Sequence, residues 1–343
     1  MNILSLFDGM SCGRIALDRA DIPVEKYYAS EIDKHAVTVS KANYPDIVQL
    51  GSVTEWREWG IDWFSIDLLI GGSPCQGFSF AGKQLAFDDP RSALFFVYVD
   101  ILDHLRLCNP KVKFLLENVK MRKDHLQVIT DVLGVEPVFI NSALVSAQNR
   151  QRYYWANWEF GQPEDRGILL KDILEENIAS EFYYGEKSIA YMERGNDKWQ
   201  QAGARRADRY EQTENTEKAF TLTANFHKGV PYNYFRCGAM IGRKINEQGK
   251  RDDYNADIKT EQRIEIRSDQ KTNCLTSVQK DNYIVDTLAR NYRKLTPIEC
   301  ERLQTVPDNY TAHVSNTQRY RMLGNGWTVE VIAHIFGGLQ HEI

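Results

Sequence analysis

Short apolar runs alternate with stretches of helical spacing through the first 160 residues, and that alternation leaves few architectures open. Ile3–Phe7 reads as a buried strand, followed by the loop Asp8-Gly9-Met10-Ser11-Cys12-Gly13 and a helical stretch through Ala20. Tyr27–Ser30 reads as a second strand and Asp33–Tyr44 as the next helix. Ile47–Leu50, Leu68–Ile70 and Phe114–Leu116 read as further strands, and Ala93–Leu107 carries apolar residues at helical spacing. Strands and helices in strict alternation predict an α/β fold with a doubly wound, mostly parallel sheet covered by helices on both faces.

After Trp158 the pattern changes. Residues 184–293 are rich in Thr, Asn, Gln, Arg and Tyr, with short β-like runs such as Phe220–Thr223 and Tyr283–Val285. They predict a smaller β-containing domain, between a first domain over 1–183 and a closing segment over 294–343. The closing segment ends in an amphipathic helix, Trp327–Leu339, which follows Gly324-Asn325-Gly326 and returns to the first domain. Charge follows the same division. The chain carries −5 overall, yet 184–294 holds 21 Lys+Arg against 16 Asp+Glu, and the rest holds 21 against 31. A basic segment set into an acidic body fits a module that contacts phosphates, though a solvated mixed-charge face is the other reading.

Several classes are disfavoured. No run of about 18 apolar residues exists, so no membrane span is expected, and the start lacks the features of a signal peptide. The six cysteines form no CxxC pair and no His cluster accompanies them, so free thiols are expected and no metal.

In an open α/β sheet, ligands bind outside the carboxyl ends of the strands. The loop after the first strand has two glycines, Gly9 and Gly13, that let backbone N–H groups approach a ligand at a helix N-terminus. It is not GxGxxG, so no dinucleotide fingerprint is met, and a plain tight turn remains the other reading. The second strand ends at Ser30-Glu31-Ile32-Asp33, where a carboxylate commonly accepts ribose hydroxyls. The alternative is that Asp33 caps the helix and Glu31 is solvated.

The fourth strand leads into Gly71-Gly72-Ser73-Pro74-Cys75-Gln76-Gly77. A single cysteine is ordinarily an apolar filler, but a thiol in a turn of proline and glycines is better placed to reach a substrate. The next stretch, Phe80 to Arg91, has the glycine and charge content of a lid. The fifth strand ends at Glu117-Asn118-Val119, which sets a carboxylate at the sheet edge beside Cys75. A nucleophile and an acid at adjacent strand ends suit addition to an electron-poor heterocycle: one attacks ring carbon C6, the other takes up charge at ring N3. Gln148-Asn149-Arg150-Gln151-Arg152 follows, and on a strand the two arginines project to one side, able to bind a base carbonyl or phosphate.

Phe7-x-Gly9, Pro74-Cys75-Gln76, Glu117-Asn118-Val119, Gln148-x-Arg150-x-Arg152 and Gly324-Asn325-Gly326 occur in the order of the cytosine-5 DNA methyltransferase family, which the chain resembles over 1–160 and about 290–343. The cysteine region, through Gly82-Lys83-Gln84 and Leu94-Phe95-Phe96, is similar to bacterial restriction–modification enzymes. Tyr28-Ala29-Ser30-Glu31, Tyr310-Thr311, Val314-Ser315-Asn316 and Trp327 resemble the animal de novo enzymes. The resemblance implies a Rossmann-like S-adenosylmethionine-dependent enzyme that methylates C5 of a cytosine flipped out of duplex DNA. Cys75 would attack C6, Glu117 would engage N3, and Arg150 and Arg152 would orient the base. Phe7, Asp8, Gly9, Met10, Ser11, Cys12, Gly13, Glu31, Ile32, Ser52, Val53, Pro74, Leu94, Asn325, Gly326 and Trp327 would form the cofactor site. Gln76, Ser79, Lys83, Gln84 and Arg91 would contact DNA, with the basic segment as target-recognition domain.

Two departures stand out: Ser52 occupies the place of the family's adenine-binding Asp, and Ser11-Cys12 replaces glycine in the first motif. The implied protein is a cytoplasmic monomer of prokaryotic or phage origin, paired or not with a restriction endonuclease. A tRNA cytosine-5 methyltransferase and a non-catalytic DNA-binding paralogue are the alternatives. A nicotinamide-dependent oxidoreductase would leave Pro74-Cys75-Gln76 unexplained.

Overall fold

The computed structural model describes residues 1–73, 93–186, 235–244, 257–259, 261–266, 271–275, 283–286 and 291–340. Pro74, Cys75, Gln76, Ser79, Lys83, Gln84, Arg91 and the expected strand Phe220–Thr223 lie outside the described residues.

The first part of the chain holds strands β1 (Asn2–Leu6), β2 (Lys26–Ser30), β3 (Val48–Gln49), β4 (Leu68–Gly71), β5 (Lys113–Val119), β6 (Val138–Asn141), β7 (Gln148–Asn149) and β8 (Gln151–Ala156). Seven of them form one sheet in the order β3-β2-β1-β4-β5-β8-β6. The run from β3 to β5 is parallel, and β8 alone is antiparallel to its neighbours β5 and β6. The order reverses between β1 and β4, so the crevice for a ligand opens beyond the carboxyl ends of those strands.

Both faces of this sheet are covered, as the continuous apolar runs require. Successive side chains point to opposite faces: Ile3 and Ile70 enter one apolar cluster, Leu4 and Leu69 the other. Helices α1 (Cys12–Arg19) and α2 (Lys34–Asn43) precede α3 (Ala93–Cys108) and α4 (Lys123–Leu133). Phe95, Tyr98, Ile101, Leu102 and Leu105 of α3 are fully buried in the second cluster. Each such burial stabilises the fold by roughly 1.5–3 kcal/mol.

Two boundaries differ from the sequence expectation for physical reasons. β1 ends at Leu6 because Phe7 adopts φ +57°, turning the chain into the loop. The last helix begins at Val329, not Trp327. Thr328 precedes it in extended conformation, with its hydroxyl on Gln304 Oε1 at 2.9 Å, which leaves Trp327 outside the helix.

A one-turn α5 (Leu170–Ile173) follows the main sheet. Beyond it, β9 (Phe235–Arg243), β10 (Glu261–Ile266), β12 (Tyr283–Asp286) and β13 (Asn291–Lys294) form an antiparallel sheet in the order β10-β9-β12-β13. Between them β11 (Thr272–Asn273) pairs with β7, Thr272 opposite Gln148, and so joins this region to the arginine motif. Helix α6 (Pro297–Leu303) starts with a capping box of Thr296 and Glu299 and has proline in its first turn. After α7 (Asn316–Asn325), helix α8 (Val329–Leu339) buries Val331, Ile332, Ile335 and Phe336 in the first cluster. Arg19 pairs with Glu330 at 2.6 Å, and Trp158 Nε1 donates to Ile335 O at 2.9 Å, so the chain's end packs onto its beginning. Among the described residues no helix is long and apolar enough to cross a membrane.

Candidate active site

The loop after β1 is wound around the Asp8 carboxylate. Tyr27 OH donates to Oδ1 at 2.7 Å and Ser11 Oγ to Oδ2 at 2.5 Å. Phe7, Gly9 and Ser11 all have φ near +60°, and only glycine adopts that conformation without strain. Two side-chain-bearing residues held this way within five positions mark a loop shaped for a purpose. Burial pushes the Asp8 pKa up to about 6, against the hydrogen bonds from Ser11, Ser5 and Tyr27 that lower it. Burial also pushes the Cys12 thiol up to about 12, which leaves Cys12 an apolar filler.

Glu31 is tied to this loop. Its Oε2 accepts from Gly9 N at 2.8 Å, and its Oε1 accepts from Ile32 N and Asp33 N at 2.8 and 2.7 Å. Asp33 caps α2 by accepting from His35 N at 2.9 Å, as one reading of the sequence held, but Glu31 is not merely solvated. Beside it Ile32 is 79% exposed, an apolar side chain presented at the ligand edge of β2. Ser52 caps the short helix Val53–Glu58 through Thr54 N at 3.3 Å, and Val53 is buried. Phe7 and Leu94 pack, half-buried, at the rim of the second cluster. A carboxylate, a strained glycine-bearing loop and exposed or half-buried apolar side chains along one crevice fit an adenosine-bearing cofactor.

At the ends of β4 and β5 the parallel register sets Gly71 opposite Leu116. Ser73 Oγ accepts from Asn118 Nδ2 at 3.1 Å, with both residues buried. Ser73, the last described residue after β4, is therefore anchored beside the end of β5. The β5–β8 pairing sets Tyr154 opposite Glu117 and Arg152 opposite Val119, so Arg152 is the diagonal cross-strand neighbour of Glu117. Arg152 Nε lies 2.8 Å from Glu117 Oε1. Trp327 Nε1 donates to Oε2 at 3.1 Å.

Arg150 has a different position. It lies between β7 and β8, 3% exposed, and donates to Leu275 O, Gly324 O and Gly326 O at 3.3, 3.2 and 2.8 Å. It braces the Gly324-Asn325-Gly326 turn, with help from Gln304, which donates to Leu323 O and Gly326 O. The expectation that both arginines share one side holds at Cys274: Arg150 NH1 and Arg152 NH2 lie 2.9 and 3.6 Å from its Sγ. Burial alone would raise the Cys274 thiol, but the two guanidinium groups bring it below its ordinary value.

Sequence reasoning placed Trp327 at the cofactor and missed its contact with Glu117. It also missed Cys274, one of six cysteines and set apart by no local motif. The structure brings together Glu117, Arg150, Arg152, Gly326 and Trp327, and separately Asp8, Gly9, Ser11 and Glu31.

Residues 1–341 match the family model for C-5 cytosine-specific DNA methylase. The chain is 30% identical to the type II methyltransferase M.NlaX of Neisseria lactamica, over 97% of this chain and 94% of the relative. It is 27% identical to the type II methyltransferase M.HhaI of Haemophilus parahaemolyticus, over 98% and 93%. In fold it is similar to a DNMT2 mutant of Spodoptera frugiperda, with TM-score 0.61 and 19% identity over 99% of each chain. The sheet order, the glutamate at the end of β5 and a match across nearly the whole chain agree: this chain belongs to the C-5 cytosine-specific DNA methylase family, whose members are S-adenosylmethionine-dependent DNA cytosine methyltransferases.

Proposed function

We propose that the protein methylates C5 of a cytosine in a specific duplex DNA sequence through a covalent Cys75–C6 adduct, with the target base flipped out of the helix. The observation that carries this reading is the clamp on Glu117. A carboxylate held by Arg152 and Trp327 sits at the end of β5, beside the end of β4, after which Pro74-Cys75-Gln76 follows in sequence. Cys75 lies outside the described residues, and chain connectivity ties it to Ser73, two residues earlier.

In this scheme the Cys75 thiolate adds to C6 while Glu117 hydrogen-bonds or protonates N3, so that charge does not accumulate on the ring. Arg152 keeps the carboxylate aimed. Arg150 acts through the backbone that it braces. When bound, S-adenosylmethionine would supply the electrophilic methyl group for C5, its S–CH3 bond breaking to leave S-adenosylhomocysteine. Loss of the C5 proton and departure of the thiolate then restore the aromatic ring and the free enzyme. Glu31 would accept the ribose hydroxyls of the donor, Phe7 and Ile32 would cover its adenine, and the Asp8–Gly13 loop with Asn325 would enclose it. Ser52 would offer a hydroxyl where relatives carry a carboxylate.

Residues 1–183 and 294–343 would form the catalytic domain. The basic stretch 184–293 would read the target, with Lys and Arg on phosphates and a few side chains on base edges. That basic stretch favours duplex DNA over tRNA as substrate. A monomer in the prokaryotic cytoplasm, with or without a cognate restriction endonuclease, completes the reading.

The test is trapping on DNA that contains 5-fluorocytosine, where the fluorine cannot leave as a proton would. The wild-type protein should form a donor-dependent covalent adduct and Cys75→Ala none; an adduct with Cys75→Ala removes Cys75 as nucleophile. Mapping 5-methylcytosine after expression in a host without cytosine methylation would then give the target sequence.

A further inference from the structure

We propose that Trp327 is a positioning residue for Glu117, through which closure of the methyl-donor site aims the carboxylate at the target base. The inference rests on the role given to Glu117 above. An indole N–H can only donate, and a donor without an acceptor is costly when shielded from water. Here its acceptor is Glu117 Oε2 at 3.1 Å, while Arg152 holds Oε1. The two oxygens are thus gripped from different parts of the chain, and the carboxylate cannot rotate without breaking one contact. Arg152 belongs to the same sheet, on the strand next to that of Glu117. Trp327 belongs to a turn that touches the donor loop.

Two glycines carry the second half of the argument. A Cβ at Gly326 would lie 2.9 Å from Met10 Cε and 3.4 Å from Cys12 Sγ, so the turn before Trp327 rests directly on the donor loop. A Cβ at Gly72 would lie 2.9 Å from both Glu117 Oε2 and Trp327 Nε1. A methyl group at position 72 would therefore force the carboxylate or the indole to move. Arg150 fixes the turn from behind through Gly326 O at 2.8 Å. A shift of the donor loop on binding must therefore either be absorbed by this braced turn or be passed to the indole.

Two variants test this. Trp327→Phe keeps an aromatic ring and removes the donor; Gly72→Ala keeps Trp327 and inserts a methyl group into the contact. Both should lower kcat for DNA methylation by about 10- to 100-fold, the range for a hydrogen bond to a charged group. Affinity for S-adenosylhomocysteine, read by calorimetry, should fall far less than kcat does, since Trp327→Phe keeps an aromatic ring at the cofactor edge and Gly72→Ala keeps Trp327 itself. Retained binding also shows that each variant is folded. A kcat unchanged in Trp327→Phe, or a loss confined to donor affinity, overturns the proposal. A solution readout is independent of turnover: the indole ¹H–¹⁵N resonance that vanishes in Trp327→Phe should shift in Glu117→Gln, and should shift again when donor is added. A resonance indifferent to Glu117 overturns the inference while leaving the methyltransferase reading intact. Failure of the wild-type protein to methylate any DNA would instead strike that reading first, and this inference with it.

Discussion

Arg152 and Glu117 form an ion pair of 2.8 Å in which the side chains are only 13% and 10% exposed. At that burial the pair is screened little by solvent, and removing one partner leaves a charge short of compensation. On the mechanism proposed above, Arg152 would orient the carboxylate and Glu117 would handle the proton at N3. Glu117→Gln should therefore lower kcat by about 10²–10⁴, the usual share of a general acid or base, while cofactor affinity is kept. Steady-state methylation of unmethylated DNA measures it. A glutamine variant that turns over like the wild type would remove the carboxylate from the chemistry.

The two arginines of one motif should separate by assay. Arg150 serves three backbone carbonyls with a planar fork that lysine cannot reproduce. Arg150→Lys should lower the melting temperature by about 5 °C or more, at roughly 2–4 °C for each kcal/mol lost. Arg152→Lys should change it by about 2 °C or less and lower kcat instead. Thermal melts and kinetics on the same preparations decide, and the reverse pattern would exchange the two roles.

Asp8 gives the loop after β1 a pH signature. Its pKa is raised from 3.8 to about 6, burial being the largest cause. A carboxyl with a raised folded-state pKa contributes stability that is fully present below about 3.8 and is lost as pH rises through about 6. Asp8→Asn does not titrate. Its unfolding free energy should gain on that of the wild type by about 2 kcal/mol between about pH 4.5 and about pH 7.5. Urea titrations at the two pH values test the sign as well as the size, and an Asp8→Asn protein that loses stability relative to the wild type as pH rises refutes it.

DNA binding should depend on salt in a way that cofactor binding does not. The excess of Lys and Arg over Asp and Glu in 184–294 predicts phosphate contacts that release counterions. The apparent Kd for duplex DNA should rise at least about tenfold between about 50 and about 200 mM salt, while the Kd for S-adenosylhomocysteine barely moves. A flat DNA response would place recognition outside that segment.

Much of this was legible in the chain itself, for reasons that act over short distances. Apolar runs of strand length separated by helical spacing dictate β1 to β5 and the helices between them, because side-chain period and burial are local properties. Asp33 before α2, and Thr296 with Pro297 and Glu299 at α6, show helix starts written in a few residues. The glutamate at the end of β5 needed only the strand's length to be placed at the ligand edge. The packed chain decided which of these groups meet. Trp327 reaches Glu117 across 210 residues, and Arg150 reaches Cys274 across 124. No local pattern encodes such pairs, because they depend on how β5, β8 and the turn before α8 pack. Residue types and spacing thus determined that the chain carries a carboxylate and two arginines near one strand edge. Only tertiary packing decided that one arginine would hold the carboxylate, the other would hold the backbone, and an indole would close the remaining side.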